Sequence, residues 1–234
     1  SLDPSRFPDC PAPSQPTMTR MPPPSVLLVG LWVDRDPEGD VPQRFRHLPE
    51  LFASEGFALH TVHRRELDPA PWIATPPAGI VLSGSKHNLG EDCTVADFPE
   101  VDRLLRELPS VPLLGICFGH QLIAAHNGGR LGYAPAFRED PDWPVTPTAH
   151  LDLFAGMPLP CPLAENHGMR VEDPGPGYDV IATSGDGIEA IAHRQLPRIG
   201  VQFHPEYYPR QQVHHGRTFL QNWIAAKVKP RVAR

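Results

Sequence analysis

The stretch Val111-Pro112-Leu113-Leu114-Gly115-Ile116-Cys117-Phe118-Gly119-His120-Gln121 decides how the rest of the chain is organised. Val111 to Ile116 is short and apolar and reads as a buried strand. Leu122-Ile123-Ala124-Ala125-His126 reads as a helix, stopped by Asn127-Gly128-Gly129. Strand, sharp turn and helix, with a nucleophile at the turn and glycine two residues to either side, is the nucleophile-elbow pattern. The spacing has a steric reason: the turn holds Cys117 in a strained backbone conformation, and a side chain at 115 or 119 would collide across it. The thiol then stands at a helix N-terminus, where the dipole and free N–H groups favour negative charge. The plainer reading is a buried cysteine beside a glycine-rich turn.

Upstream of the elbow, apolar strands alternate with amphipathic helices. Val26 to Leu31 reads as the first strand, residues 41–55 as a helix, Phe57 to Val62 as a second strand and Gly79 to Leu82 as a third. The third runs into Ser83-Gly84-Ser85, and Phe98 to Leu108 follows as a helix with Val101, Leu104, Leu105 and Leu108 on one face. Such alternation implies a mostly parallel sheet covered on both faces, with ligand sites at the carboxyl ends of its strands. Ser83-Gly84-Ser85 and Cys117 both fall at such ends.

Downstream the character changes. Tyr133 to Pro147 is rich in proline and acidic residues, has no clear period, and reads as loop. Short strands follow at 161–164, 169–171, 179–182, 188–192 and 199–203, with turn signals at Asp173-Pro174-Gly175 and Ser184-Gly185-Asp186-Gly187. A last helix is expected from about Gln211 to Ala226. The domain reading is a proline-rich leader at 1–25, one α/β domain at 26–228 and a tail at 229–234.

The whole chain has 234 residues, formal net charge −6 and 40% hydrophobic residues. That balance argues against a general nucleic-acid or membrane surface, and no apolar run reaches the length of a membrane span. Four scattered cysteines (Cys10, Cys93, Cys117, Cys161) without a CxxC pair suit a reducing, cytoplasmic compartment better than a disulfide framework or zinc site.

A cysteine nucleophile needs a base and a group to orient that base. His204-Pro205-Glu206 directly follows the last expected strand. Residues two apart on an extended segment face one side, so imidazole and carboxylate can meet there. The order Cys117, His204, Glu206 differs from that of an α/β-hydrolase, in which the acid precedes the histidine. His120 and His126 read as helix-packing residues. His214-His215 lacks a nearby acidic or cysteine partner for a metal. Gly84-Ser85-Lys86 lacks the glycine-rich run of a phosphate loop.

Leu113 to Gln121 together with Val201-Gln202-Phe203-His204-Pro205-Glu206 resembles the class I (triad) glutamine amidotransferases. The resemblance covers residues 26–226. It implies a three-layer αβα sandwich, flavodoxin-like, with a central mostly parallel sheet and an antiparallel extension. It implies hydrolysis of the glutamine side-chain amide through a cysteinyl γ-glutamyl thioester, with Cys117 as nucleophile, His204 as base and then acid, and Glu206 orienting His204. Backbone N–H groups of Phe118, Gly84 and Ser85 would form the oxyanion hole. The family usually carries a second glycine where this chain has Ser85, so that donor depends on serine tolerating the local backbone angles. Gln121 matches a substrate-holding position, and Asn166-His167-Gly168-Met169 resembles the segment that binds the glutamine α-groups. The plainer reading of Asn166-His167-Gly168 is a turn between two strands.

The leading expectation is therefore a stand-alone, cytoplasmic glutaminase that uses no cofactor or metal. It delivers ammonia to a synthetase acting in trans, since no second domain is visible before Arg234, and it binds neither nucleic acid nor membrane. A γ-glutamyl amine or peptide hydrolase with the same triad is the first alternative. A regulatory or binding module with a relic triad is the second.

Overall fold

The computed structural model describes residues 22–32, 42–207 and 214–233. Most of the expected leader, Cys10, the expected helix start at Val41 and residues 211–213 lie outside them. The strands are β1 (Ser25–Gly30), β2 (Ala58–His63), β3 (Gly79–Leu82), β4 (Leu113–Ile116), β5 (Arg130–Pro147), β6 (Cys161–Asp173), β7 (Tyr178–Ser184), β8 (Gly187–His193) and β9 (Arg198–Val201). The helices are α1 (Leu48–Ser54), α2 (Ala70–Ala74), α3 (Pro99–Glu107), α4 (Phe118–His126), α5 (His215–Trp223) and α6 (Lys229–Val232). A π-helical turn, Ile224–Val228, joins the last two.

The sheet order is β2-β1-β3-β4-β9-β8-β7-β5-β6. The first five strands in that order are mutually parallel. From β9 onward every pairing is antiparallel. Alternation along each strand feeds two separate cores. Val26 and Leu28 of β1 join Phe52 of α1 and Phe219, Leu220 and Trp223 of α5 on one face. Leu27 and Val29 join Val101, Leu104 and Leu105 of α3 and Leu122 and Ile123 of α4 on the other. The chain is thus a three-layer αβα sandwich with an antiparallel extension: the parallel sheet covered on both faces is what the alternating pattern predicts, and the extension is what the resemblance implies.

Four local expectations need correction. The helix expected over 41–55 is a 3-10 turn, Gln43–Phe45, followed by the shorter α1. Pro49 has no N–H and is tolerated only in a first turn, so the α-helix cannot begin much earlier. Tyr133 to Pro147, read as loop, belongs to the 18-residue strand β5. Its prolines hid it, and the sheet accommodates them with irregular pairing: the register shifts at Tyr133/Arg138 and Asp140/Trp143 enclose Pro135 and Pro141. The two short strands at 161–164 and 169–171 are one continuous strand, β6, so Asn166-His167-Gly168 is not a turn. Finally, the last strand ends at Val201, short of Phe203.

Candidate active site

Cys117 joins β4 to α4 with φ 48° and ψ −100°. Among the described non-glycine residues, only His150 shares a positive φ. This is a region that L side chains avoid, and it persists because the surroundings leave no other path. A Cβ on Gly115 would lie 2.6 Å from the Gly119 carbonyl oxygen, and one on Gly119 would lie 2.5 Å from the Leu82 carbonyl oxygen of β3. Both glycines are therefore required by close approach. The Cys117 N–H donates to Val201 O of β9 at 2.7 Å, which ties the elbow to the strand that leads to His204.

His204 and Glu206 do not lie on an extended segment, as the alternation rule predicts. The chain turns after β9, and the Tyr207 N–H closes that turn on His204 O at 3.1 Å. The His204 N–H donates to Ala164 O of β6 at 2.7 Å. His204 Nδ1 then meets Glu206 Oε1 at 2.7 Å. An ionised carboxylate only accepts, so Nδ1 carries the proton there and Nε2 is left for the cavity. Nε2 is buried and has no hydrogen-bond partner among the described residues. Burial by itself lowers the imidazole pKa, but the Glu206 carboxylate and the Cys117 sulfur outweigh it and raise it to about 10. For Glu206, burial works to raise the pKa, while the charge and hydrogen bond of His204, with Arg44 beyond, hold it below the usual carboxylate range. Arg44 Nε lies 3.6 Å from Glu206 Oε1.

The loop after β3 approaches both reacting side chains. A Cβ on Gly84 would stand 3.0 Å from His204 Cε1 and 3.5 Å from Cys117 Cβ. The Leu31 N–H donates to Ser83 Oγ at 2.8 Å, Ser83 Oγ donates to Gly84 O at 2.9 Å, and the His87 N–H donates to Ser85 Oγ at 3.2 Å. These bonds fix the loop through the Gly84 carbonyl and the Ser85 hydroxyl. Ser85 has no positive φ. Serine in place of the family's second glycine therefore carries no backbone strain here.

β6 forms the opposite wall. Asn166 O lies 3.8 Å from Cys117 Sγ, which donates to it. Met169 O accepts from both Gln121 Nε2 and His167 Nδ1, each at 3.0 Å. Gln121 Nε2 also donates to Gln202 Oε1 at 3.2 Å, and Gln202 Nε2 donates to Cys117 Sγ at 3.5 Å. Gln121 is thus left with its oxygen for any ligand. Cys117, His204, Arg44, Lys86, Phe137 and Asn166 help line a cavity of about 290 Å³. Ser85, Phe118, Gln121, His167, Gly168 and Met169 also border it, so most of the residues singled out from the sequence converge on one space.

Behind β6 lies a buried polar cluster that the sequence does not announce. Glu165, His167 and Glu189 are each under 5% exposed, with ligand atoms within 4.8 Å of one another. Among the described residues this is the group that could hold a metal ion. Burial raises the Glu165 pKa well above the carboxylate range, assisted by the charge of Glu189 and a hydrogen bond to it. Burial also lowers His167 to about 4, so its ring is neutral.

Sequence reasoning passed over Arg44, Gln202, Glu165 and Glu189. A signal existed for two of them: Gln202 and Glu189 are polar residues inside otherwise apolar runs. Arg44 has no periodicity to mark it. The plainer expectations for other residues match their surroundings. His120 is fully buried against Gly200. His126 Nε2 bonds Asp102 Oδ1 of α3 at 2.5 Å. Cys93 and Cys161 are free thiols.

The glutamine amidotransferase class-I family model matches residues 48–225. The A subunit of the glutamine-hydrolyzing GMP synthase of Thermococcus kodakarensis is 35% identical over 155 residues, covering 64% of this chain and 76% of that one. Anthranilate synthase component 2 of Methanothermobacter marburgensis is 33% identical over 165 residues, 68% of this chain and 75% of that one. In fold, the chain is similar to a solved Thermoplasma acidophilum structure provisionally described as the A subunit of a GMP synthase. Their TM-score is 0.72 at 23% identity, over 90% of this chain and 97% of that one. With three quarters of its length matched by the family model and its elbow in place, the chain belongs to the class-I glutamine amidotransferases.

Proposed function

We propose that this protein hydrolyses the side-chain amide of glutamine at Cys117 and hands the ammonia to a separate synthetase. The observation that carries the reading is the strained elbow cysteine, which shares one cavity with an imidazole whose Nδ1–H is fixed on a buried carboxylate. Sγ attacks the amide carbon as its proton passes to His204 Nε2, and the carbonyl oxygen becomes an oxyanion held by backbone N–H groups of Phe118 and the Gly84-Ser85 loop. His204 Nε2 gives its proton to the amide nitrogen, the C–N bond breaks, and ammonia leaves a γ-glutamyl thioester on Cys117. His204 next takes a proton from water, which attacks the thioester, and glutamate departs as sulfur is released. Asn166, Gly168 and the Gln121 oxygen hold the substrate's α-groups. No metal or cofactor enters the scheme. A synthetase-type partner is supported by the names of the relatives, which belong to GMP synthase and anthranilate synthase.

A second reading keeps these steps but changes the leaving group to an amine or amino acid. The cavity wall offers Lys86 as a cation for a carboxylate on such a leaving group, Arg44 being engaged by Glu206. Ammonia release from glutamine, with and without an added synthetase, is to be measured beside cleavage of a γ-glutamyl peptide. Glutamine turnover that rises with the synthetase supports the first reading. Fast, partner-independent cleavage of the peptide, with glutamine a poor substrate, replaces it with the second.

A further inference from the structure

Gln202 is fully buried, immediately after β9, and its N–H is fixed on Glu189 O of β8 at 2.7 Å. Its side chain is the middle of a chain of amides whose direction is forced. The Met169 carbonyl can only accept, so the Gln121 atom facing it is the nitrogen. The second hydrogen of that nitrogen points at Gln202, whose facing atom must be the oxygen. The Gln202 nitrogen is thereby turned to Cys117 Sγ, 3.5 Å away.

We propose that Gln202 is a catalytic residue that donates a hydrogen bond to the sulfur of Cys117, with Gln121 positioning it from the substrate wall. This rests on the glutaminase reading for the identity of the substrate, not for the chemistry at sulfur. A donor aimed at sulfur favours the anion that attacks and the anion released when the thioester breaks. It also couples two walls of the site. Met169 lies on the strand that carries Asn166 and Gly168, so movement of that strand shifts Gln121 and with it the donor on the sulfur.

The test compares wild type with Gln202→Leu and the nearly isosteric Gln202→Glu, and adds Gln121→Glu. Iodoacetamide labelling of Cys117 is followed by peptide mass spectrometry across pH, which requires no glutamine turnover. Steady-state kcat and KM for glutamine are measured beside it. The other charged or titratable groups facing this region, His204, Glu206, Arg44, Glu165, His167 and Glu189, are unchanged in every variant. Loss of one hydrogen bond to a charged atom slows labelling roughly tenfold in Gln202→Leu and moves its pH profile upward. Gln202→Glu, which turns a carboxylate oxygen to sulfur, is slower still. In Gln121→Glu no hydrogen remains to fix the Gln202 oxygen, so labelling slows although no atom touching sulfur has changed. The kcat for glutamine falls in parallel while KM holds for the Gln202 variants.

Labelling of Gln202→Glu at the wild-type rate and pH midpoint overturns the proposal, even where Gln202→Leu fails to fold. Wild-type labelling of Gln121→Glu overturns the relay. Slowed labelling in a protein that ignores glutamine leaves the proposal standing and removes the glutaminase reading.

Discussion

The β4–α4 elbow and the β5–β6 arm face each other across one cavity, and they hold their atoms by opposite means. At the elbow the position of Cys117 is fixed by excluded volume: two glycines touch carbonyl oxygens, and the apolar strands on either side leave the backbone no other course. On the arm, position is fixed by buried polar contacts. Arg138 grips Asp186 with Nε–Oδ2 at 2.6 Å and Nη2–Oδ1 at 2.9 Å, and its guanidinium lies 3.5 Å from the Trp143 ring centre. Glu165 and His167 turn inward while Asn166 turns out. Steric positioning is indifferent to pH. Polar positioning is not, so the two walls of one site answer differently to the same perturbation.

The largest expected effect comes from removing the elbow's nucleophile. Cys117→Ser keeps the shape of the turn but replaces sulfur by a far weaker nucleophile, and glutamine hydrolysis falls by about a thousandfold or more. Thermal unfolding alongside the assay separates this from a folding defect: the melting temperature stays near wild type.

Next come the groups that act on the sulfur. His204→Ala removes the proton carrier and approaches the Cys117→Ser loss. Glu206→Gln only weakens the orientation of the ring and costs less. These residues act as a unit, so the double variant is little worse than His204→Ala alone, and strict additivity in kcat breaks the shared mechanism.

Gly84→Ala is a smaller and purely steric test of the elbow side. The added carbon stands 3.0 Å from His204 Cε1, and the ring or the loop must give by a fraction of an ångström. A fall of roughly tenfold to a hundredfold in kcat, with KM little changed, is expected. An unaltered kcat means that the loop is slack enough to make its oxyanion role untenable.

The contrast between walls also explains what the sequence discloses. The elbow was legible because steric fixing requires glycines at set spacings inside apolar runs, a pattern that Gly115, Cys117 and Gly119 display openly. The parallel strands were legible for the same apolar reason. β5 was not, because Pro135, Pro141 and Pro144 read as loop and only pairing with β6 makes a strand of them. β6 reads as two short strands because its buried positions carry Glu165 and His167 rather than apolar residues. Gln202 and Arg44 contribute contacts across 85 and 162 positions of chain, to Cys117 and Glu206 respectively, distances over which periodicity carries no information.

The smallest expected effect belongs to the arm and carries a sign. The folded-state pKa of Glu165 lies well above its ordinary value of 4.5, chiefly through burial and then through Glu189. Below pH 4.5 the folded and unfolded chains both hold the proton and no penalty arises. As pH rises toward the folded value, the unfolded chain ionises and the folded one does not, so stability is lost. Glu165→Gln fixes the neutral form. Its melting temperature equals wild type near about pH 4 and exceeds it by a few degrees at about pH 8. A pH-independent difference shows that Glu165 is ionised in the fold, held by a positive group. His167, Glu189, Asp186 and Arg138 remain in the variant as the surrounding charges.

The central claim is that Cys117 attacks the glutamine amide and becomes a thioester. Its most direct measurement is acid-quenched peptide mass spectrometry of the protein turning over saturating glutamine, run with wild type and Cys117→Ser. The expected result is a γ-glutamyl mass increment on the wild-type peptide that contains Cys117, labile to hydroxylamine and absent from the Cys117→Ser protein. Steady ammonia release without any adduct in Cys117→Ser, or an adduct carried on Cys93 or Cys161, contradicts it.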